Sequence, residues 1–307
     1  MVQTDSLKPH IVIITGPTAS GKSAIAVQTA EKFSGEIISC DSMQIYRGMN
    51  IGTGKITEPE KRGITHHLID IVDPGENFSV SMYKERAEAA ISQILAKGKL
   101  PVITGGTGLY INALIYGLNF AETPASEEIR NELKNIAAEK GSRFLYDQLV
   151  KADAESAEKI SPNDVRRIIR ALEIYRITGK PKSRQATHSS SCPYDVTIFV
   201  LTRDRAELYE KINSRVDKMI SDGLVDEVRA LYRYKQAQSM QAIGYKEILD
   251  YIDGKIPLND AVSQIKQNTR RYAKRQITFF KKLPDAIFTN PDFENISKII
   301  ENKLKII

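Results

Sequence analysis

Cysteine is scarce in this sequence. Cys40 and Cys192 are the two present; they lie far apart and match no metal-ligand spacing, which argues against a disulfide framework and a zinc site and predicts a reducing compartment. Long apolar runs are missing as well. No segment approaches the roughly 18 apolar residues that would cross a bilayer, and the opening MVQTDSLKPH lacks the apolar core of a signal peptide. A cytoplasmic protein with no membrane partner is therefore expected. Acidic residues fall short of basic ones, 38 against 44, for a net charge of +6. That balance favours a polyanionic partner without naming one. Repeats and low-complexity tracts are absent too. What is present, 307 residues of which 41% are hydrophobic, suffices for one large domain with an insertion or for two domains.

Short apolar runs mark the strands. Ile11 to Thr15 is rich in β-branched residues and stops at Gly16-Pro17, which reads as a buried strand entering a turn, with a helix starting near Lys22. Similar runs fall at Glu36 to Cys40, His67 to Val72, Pro101 to Thr104 and Thr197 to Leu201. Helical patterns lie between several of them, so the predicted class is α/β, a mostly parallel sheet flanked by helices. From about Thr123 to Ser191 strands give way to helical spacing, and the segment closes on the polar stretch Thr187 to Pro193. The expected organisation is a core of residues 1–122 and 192–307 with a mainly helical insertion, 123–191. After Leu201 the chain again reads as helical to about Lys282, with amphipathic stretches at Glu207 to Tyr234 and Asp260 to Phe280.

Gly16-Pro17-Thr18-Ala19-Ser20-Gly21-Lys22-Ser23 fits G-x-x-x-x-G-K-[ST] in full and sits between a strand and a helix. This is the P-loop pattern. The glycines let the backbone curl so that successive N–H groups face one anion, the helix N-terminus adds positive potential, and Lys22 adds a full charge. Ser23 is placed to ligate Mg²⁺ shared with a bound diphosphate or triphosphate. The cradle recognises the anion rather than the chemistry, so kinases, nucleotide hydrolases and diphosphate-releasing transferases all remain open at this point.

Two further strand ends are polar. Asp41 follows the second strand, where ligands of open α/β sheets collect, and is suited to hold Mg²⁺ through water, to act as a general base or simply to cap a helix. Gly105-Gly106-Thr107-Gly108-Leu109-Tyr110 follows the strand Pro101 to Thr104 and is predicted to reach the same sheet edge. Inside the insertion, Ser161 is the predicted cap of a helix running through Tyr175, with Pro162 in its first turn and Asp164 near its positive end. Val165, Ile168, Ile169, Leu172 and Tyr175 take the core-facing spacing, which leaves Arg166, Arg167 and Arg170 to meet phosphates. Lys180, Lys182 and Arg184 extend that basic run, and Arg270, Arg271, Lys274 and Arg275 form a second one.

The ordered set GPTASGKS, DSMQIYRGMNIGTGK (Asp41 to Lys55), HHLIDIVDP (His66 to Pro74), GGTGLY, SPNDVRRIIRALEIYRITGK (Ser161 to Lys180), INSRVDKMI, QAIGYKE (Gln241 to Glu247) and TRRYAKRQITFF (Thr269 to Phe280) resembles the tRNA dimethylallyltransferase (tRNA isopentenyltransferase) family over nearly the whole chain. The resemblance implies a P-loop-type fold and attack by the N6 amine of adenosine 37 of tRNA on C1 of dimethylallyl diphosphate, with diphosphate leaving. It implies that Gly16 to Ser23 hold the diphosphate, that Asp41 is the base, and that Thr107 lies near donor and adenosine. Asp41, Ser42, Met43, Gln44 and Thr107 then face the tRNA base, Arg166, Arg167 and Arg170 its backbone, and Arg215 the diphosphate at the breaking bond. Mg²⁺ is the implied cofactor and a monomer the expected state. One departure is visible: many members carry tryptophan after KRQ, whereas this sequence has none and reads Phe279-Phe280. A small-molecule kinase, an adenine-nucleotide prenyltransferase and a non-enzymatic RNA-binding module are the competing readings. An arginine-bearing insertion favours the larger RNA substrate, and a complete P-loop beside Asp41 favours turnover.

Overall fold

The computed structural model describes residues 8–116, 126–184 and 192–306. In chain order its elements are β1 (His10–Thr15), α1 (Lys22–Lys32), β2 (Glu36–Ser39), α2 (Glu58–Lys61), β3 (His66–His67), α3 (Val80–Ala96), β4 (Pro101–Gly105) and α4 (Gly108–Ile115). There follow α5 (Glu127–Ala152), α6 (Ala154–Lys159), α7 (Val165–Thr178), β5 (Asp195–Leu201), α8 (Arg205–Ser221) and α9 (Leu224–Ala230). The chain ends with α10 (Tyr245–Ile252), α11 (Leu258–Phe280), β6 (Ile287–Thr289) and α12 (Phe293–Ile306).

The chain divides into two compact units, Met1–Ile115 with Cys192–Ile307, and Tyr116–Ser191. The expected boundary at residue 123 and the polar residues Thr187 to Ser191 lie outside the described residues.

In the larger unit, six parallel strands are ordered β3-β2-β4-β1-β5-β6. β1 is buried along its whole length, because it is hydrogen-bonded on both edges, Ile13 lying opposite Ile103 of β4 and Ile198 of β5, and covered on both faces. Successive side chains of a strand point to opposite faces. Val12 and Ile14 meet Ile25, Ala26 and Ala30 of α1 and Ile296 and Ile300 of α12. Ile11 and Ile13 therefore face the other layer, where α3 packs on β2, β4 and α4. A second core gathers Val216, Leu224, Val228, Tyr245, Ile248, Ala261 and Ile265 of the later helices around Ile45, Tyr46 and Met49, just past β2.

Two sequence expectations are corrected here. The strand expected over His67 to Val72 ends at His67, because Leu68 and Asp70 take left-handed φ of 61° and 55°; Val72 returns as a single bridge to Tyr46. The amphipathic stretch Glu207 to Tyr234 is two helices, broken at Gly223, whose φ is 99°. Past Lys282, β6 adds an edge strand and α12 a covering helix. Among the described residues, no helix is long and apolar enough to cross a membrane.

The smaller unit is helical among its described residues. α5, kinked at Gly141, packs with α6 and α7 around Leu133, Leu145, Leu149, Ile160, Ile168 and Leu172. The cap of α7 is Asp164, which accepts from Arg167 N at 3.2 Å, rather than Ser161. Ser161 Oγ instead accepts from Asn163 N at 3.3 Å within the preceding turn. Tyr175 is 37% exposed and not part of the core, whose last member on α7 is Leu172.

At the amino-terminal side of the sheet, buried Glu36 accepts from Lys97 at 3.0 Å, Lys99 at 2.9 Å and His67 at 2.8 Å. Burial alone would raise its pKa, but the bonds from Lys99, His67 and Lys97 outweigh it and pull the carboxyl from 4.5 down to about 2. A carboxyl held lower in the folded than in the unfolded chain stabilises the fold above its unfolded pKa and ceases to as pH falls through the folded value. Thermal unfolding followed by circular dichroism between pH 5 and 2 is therefore expected to lose stability across about 4.5 to 2. Glu36→Gln should flatten that dependence and cost about 2 kcal/mol at neutral pH.

Candidate functional site

Parallel strands end on one edge, and β1, β2 and β4 are neighbours, so the three polar strand ends expected from the sequence are brought together. Gly16 to Ser23 run from the end of β1 into α1. The helix opens on Gly21 in the left-handed region and has no side-chain cap, so its first-turn amides are suited to an anion. Asp41 follows β2 and accepts from Met43 N at 2.9 Å in a tight turn. Thr107 precedes α4, and its Oγ accepts from Ser42 N at 3.0 Å while donating to Ser42 Oγ at 3.3 Å. Thr107 N donates to Cys40 O at 3.1 Å, which locks the Asp41 turn to the glycine-rich turn.

Arg215 comes to the same edge from α8, donating through Nη2 to Thr53 O at 3.3 Å. Two cations and one carboxylate thus share a poorly solvated space. Burial first and Arg215 second lower the Lys22 pKa, Asp41 opposes both, and together they bring it from 10.5 to about 8. Arg215 is likewise lowered by burial and raised by Asp41. The Lys22 ammonium lies near Pro17 O at 3.4 Å, and Ser20 Oγ is buried in the loop with no hydrogen-bond partner. Such a site gains from an added anion.

Gln44 donates to Gly54 O at 3.3 Å and accepts from Ser39 Oγ at 3.4 Å. With Ser23, Ser39 and Thr104 it lines a narrow crevice whose apolar wall is Ile37, Ile56 and Ile69. A wider cavity of about 460 Å³ beside α3 shares His66 and Ile69 with that crevice. Met43 is half-buried and packs on the second core.

On the smaller unit, Arg166 is exposed. Arg167 pairs with Asp164 at 3.2 Å on the surface, a contact weak enough to be exchanged for a phosphate. Arg170, still 34% exposed, pairs at 2.6 Å with Glu173, a fully buried carboxylate that also accepts from Arg130 at 2.8 Å and Ser126 N at 2.8 Å.

Residues missed by sequence reasoning hold the site in place. Buried Gln276 of α11 accepts from Thr18 N at 2.9 Å and donates to Gly106 O at 2.9 Å, tying the P-loop to the glycine-rich turn. Its signal was an amide in the otherwise apolar stripe Ala273, Gln276, Phe280. Arg203, just past β5, donates to Ser20 O at 3.1 Å and pairs with Glu207. Tyr272 lies near Asp41 and Gln276, and burial first, then Asp41, raise its pKa.

The family described as IPP transferase matches residues 44–283. The chain belongs to that family. It is 51% identical over 302 residues to a tRNA dimethylallyltransferase of Caldanaerobacter subterraneus, covering 95% of this chain and 96% of the relative. With the enzyme of the same name from Geobacillus thermodenitrificans it shares 48% identity over 301 residues, 97% and 96% of the two chains. Among solved structures, the full-length tRNA isopentenylpyrophosphate transferase of Bacillus halodurans superposes with a TM-score of 0.71 at 43% identity, covering 97% of this chain and 96% of that one. A eukaryotic dimethylallyltransferase acting on tRNA gives 0.77 at 31% identity, over 91% of this chain and 74% of that one. The family match begins at residue 44, so the P-loop and Asp41 are covered by the full-length relatives rather than by the family segment.

Replacing Gln276 by alanine strips a buried donor and a buried acceptor of their partner at once. Urea unfolding is expected to show a loss of about 2–4 kcal/mol. Gln276→Glu, which retains the acceptor for Thr18 N, should lose less.

Proposed function

We propose that this IPP transferase family member transfers the dimethylallyl group of dimethylallyl diphosphate to N6 of adenosine 37 in the anticodon loop of tRNA, forming N6-dimethylallyladenosine and releasing diphosphate. The observation that carries this reading is the meeting of the P-loop, Asp41, Thr107 and Arg215 at one sheet edge in a chain that matches a tRNA dimethylallyltransferase over 95% of its length. It acts where tRNA is, in the cytoplasm, as a monomer.

In this mechanism the N6 lone pair forms a bond to C1 of the donor while the C1–O bond breaks and its electron pair leaves with the diphosphate. An exocyclic aromatic amine is a weak nucleophile because its lone pair is delocalised into the ring. Asp41 receives the N6 proton as the bond forms, and the Asp41 turn, tied to Thr107 through Ser42, keeps the carboxylate at a set place. The main-chain amides between Gly16 and Ser23, Pro17 excepted, form the cradle, with Thr18 N already satisfied by Gln276 and Ser20 N by Pro17 O. Lys22 and Arg215 take up the charge that develops on the leaving oxygen, with most effect because their surroundings are poorly solvated.

The donor set suits Mg²⁺ held chiefly by its substrate. Ser23 offers one hard oxygen, and no cluster of three acidic, histidine or cysteine side chains exists among the described residues. Ser23 would hold Mg²⁺ together with the bound diphosphate, and the ion would supply positive charge against the leaving group. Ser42, Met43 and Gln44 face the adenine, and Arg166, Arg167 and Arg170 of the insertion meet the tRNA backbone, with Arg170 oriented by Glu173. A base in a loop is modified after being swung out of its stack into a pocket.

The deciding assay incubates the protein with unmodified tRNA, dimethylallyl diphosphate and Mg²⁺ and detects N6-dimethylallyladenosine by mass after digestion. Product is expected with the prenyl donor, none with ATP, and a drop of about 10²-fold or more with Asp41→Ala. Prenylated AMP without modified tRNA would overturn the RNA assignment. A second measurement titrates inorganic diphosphate by calorimetry from pH 6.5 to 9.5. Binding uses the ammonium form of Lys22, present below its pKa of about 8. The affinity advantage of wild type over Lys22→Met is thus expected to hold below about pH 8 and to shrink up to tenfold per pH unit above it.

A further inference from the structure

The loop Met49 to Lys55 is held from one side by a single carboxylate. Glu227 of α9 accepts from Asn50 N at 2.9 Å and Ile51 N at 2.7 Å through Oε2, and from Gly52 N at 3.1 Å through Oε1. Its remaining bond comes from the hydroxyl of Tyr245 at 2.6 Å, a fully buried side chain on α10. Successive amides converging on one anion make a rigid concave turn. The Tyr245 ring seals it, since a Cβ on Gly52 would lie 2.5 Å from the ring. Lys55 closes the loop from below, donating to Tyr46 O and Asn50 Oδ1, each at 2.8 Å, and pairing with Asp70.

The other side of this loop faces the site. Thr53 O accepts from Arg215 Nη2 at 3.3 Å. Gly54, at a φ of 57°, lets the guanidinium lie directly on the backbone, where a Cβ would stand 1.8 Å from the same nitrogen. Gly54 O accepts from Gln44 Nε2 at 3.3 Å. The loop therefore carries contacts to two side chains of the site, and the peptide units that make them adjoin those clamped by Glu227.

We propose that Glu227, backed by Tyr245, is a positioning residue for the transfer step: by clamping the amides of Asn50, Ile51 and Gly52 it sets the Thr53–Gly54 peptide that aims the Arg215 guanidinium at the leaving diphosphate. This rests on the role given to Arg215 above. Glu227 acts through Arg215, so removing the clamp matters to the rate only while Arg215 is there to be aimed. A carboxylate that served stability alone would affect the enzyme equally with or without that arginine.

The test is a double-mutant cycle on the full chain, with kcat and KM measured on tRNA and dimethylallyl diphosphate for wild type, Glu227→Gln, Arg215→Gln and the double variant. Glu227→Gln is expected to lower kcat about tenfold while moving the KM for the donor less than about threefold, and to add less than about twofold on the Arg215→Gln background. An undiminished kcat in Glu227→Gln, or a loss that multiplies in full onto Arg215→Gln, overturns the proposal. Undiminished kcat in Arg215→Gln alone instead removes the role of Arg215 and the positioning role with it. Should Glu227→Gln fail to fold, Tyr245→Phe keeps the ring and the carboxylate and removes the hydroxyl that donates to it. It is expected to lower kcat about threefold and to be silent over Arg215→Gln; no loss, or a multiplicative one, counts against the proposal.

Discussion

The parallel pairing of β1 between β4 and β5 is the constraint on which the rest of the molecule depends. A strand buried on both edges and both faces is apolar from Ile11 to Ile14 and carries polar side chains only at its ends, where His10 and Thr15 are hydrogen-bonded, and its partners all run in its own direction. Every connection must then cross over and return, so each strand delivers its following loop to the same edge. The P-loop, the Asp41 turn, the glycine-rich turn and Arg203 are the loops that follow β1, β2, β4 and β5. Their meeting is a consequence of strand direction. The later helices then fasten that edge, Gln276 bridging two of the loops and Arg203 holding a third point on the P-loop.

Charge at this edge is deliberately unbalanced. Lys22 and Arg215 are both depressed by burial, and Asp41 is the acid that opposes the effect on each. Placing two poorly hydrated cations beside one carboxylate costs folding energy, which an incoming polyanion offsets. The arrangement contrasts with the opposite end of the sheet, where Glu36 is surrounded by Lys97, Lys99 and His67. There the lysines and the histidine bond the carboxylate directly, and the cluster serves stability.

Local sequence was legible where one physical rule dominated. Four of the five predicted strands stand close to their apolar runs, and α1 begins at Lys22, because burial on both faces leaves an unmistakable run of branched side chains. The His67 to Val72 run failed because its apolar residues serve different packings: Leu68 takes a left-handed conformation, and Val72 joins the core around Ile45. At α7 the choice between Ser161 and Asp164 as cap turned on where the turn Ser161 to Asp164 closed, which a favourable residue type cannot decide. Tyr175 fitted the core spacing yet lies exposed, since the core on α7 ends with Leu172, one turn before it.

What the sequence by itself determined was the chemistry within reach: a phosphate cradle in eight consecutive residues, a carboxylate and a threonine each just past a strand, and an order of motifs that points to one family. These are local properties, written in neighbouring residues whose geometry follows from the peptide backbone. Only the tertiary structure decided who holds those groups. Glu227 and Gln44 each bind the loop Asn50 to Gly54, Gln276 reaches Thr18 across the chain, and Glu173 pairs with Arg170, which helical spacing had left free to meet phosphates. Such partners are separated by long stretches of chain and chosen by packing, so no spacing rule records them.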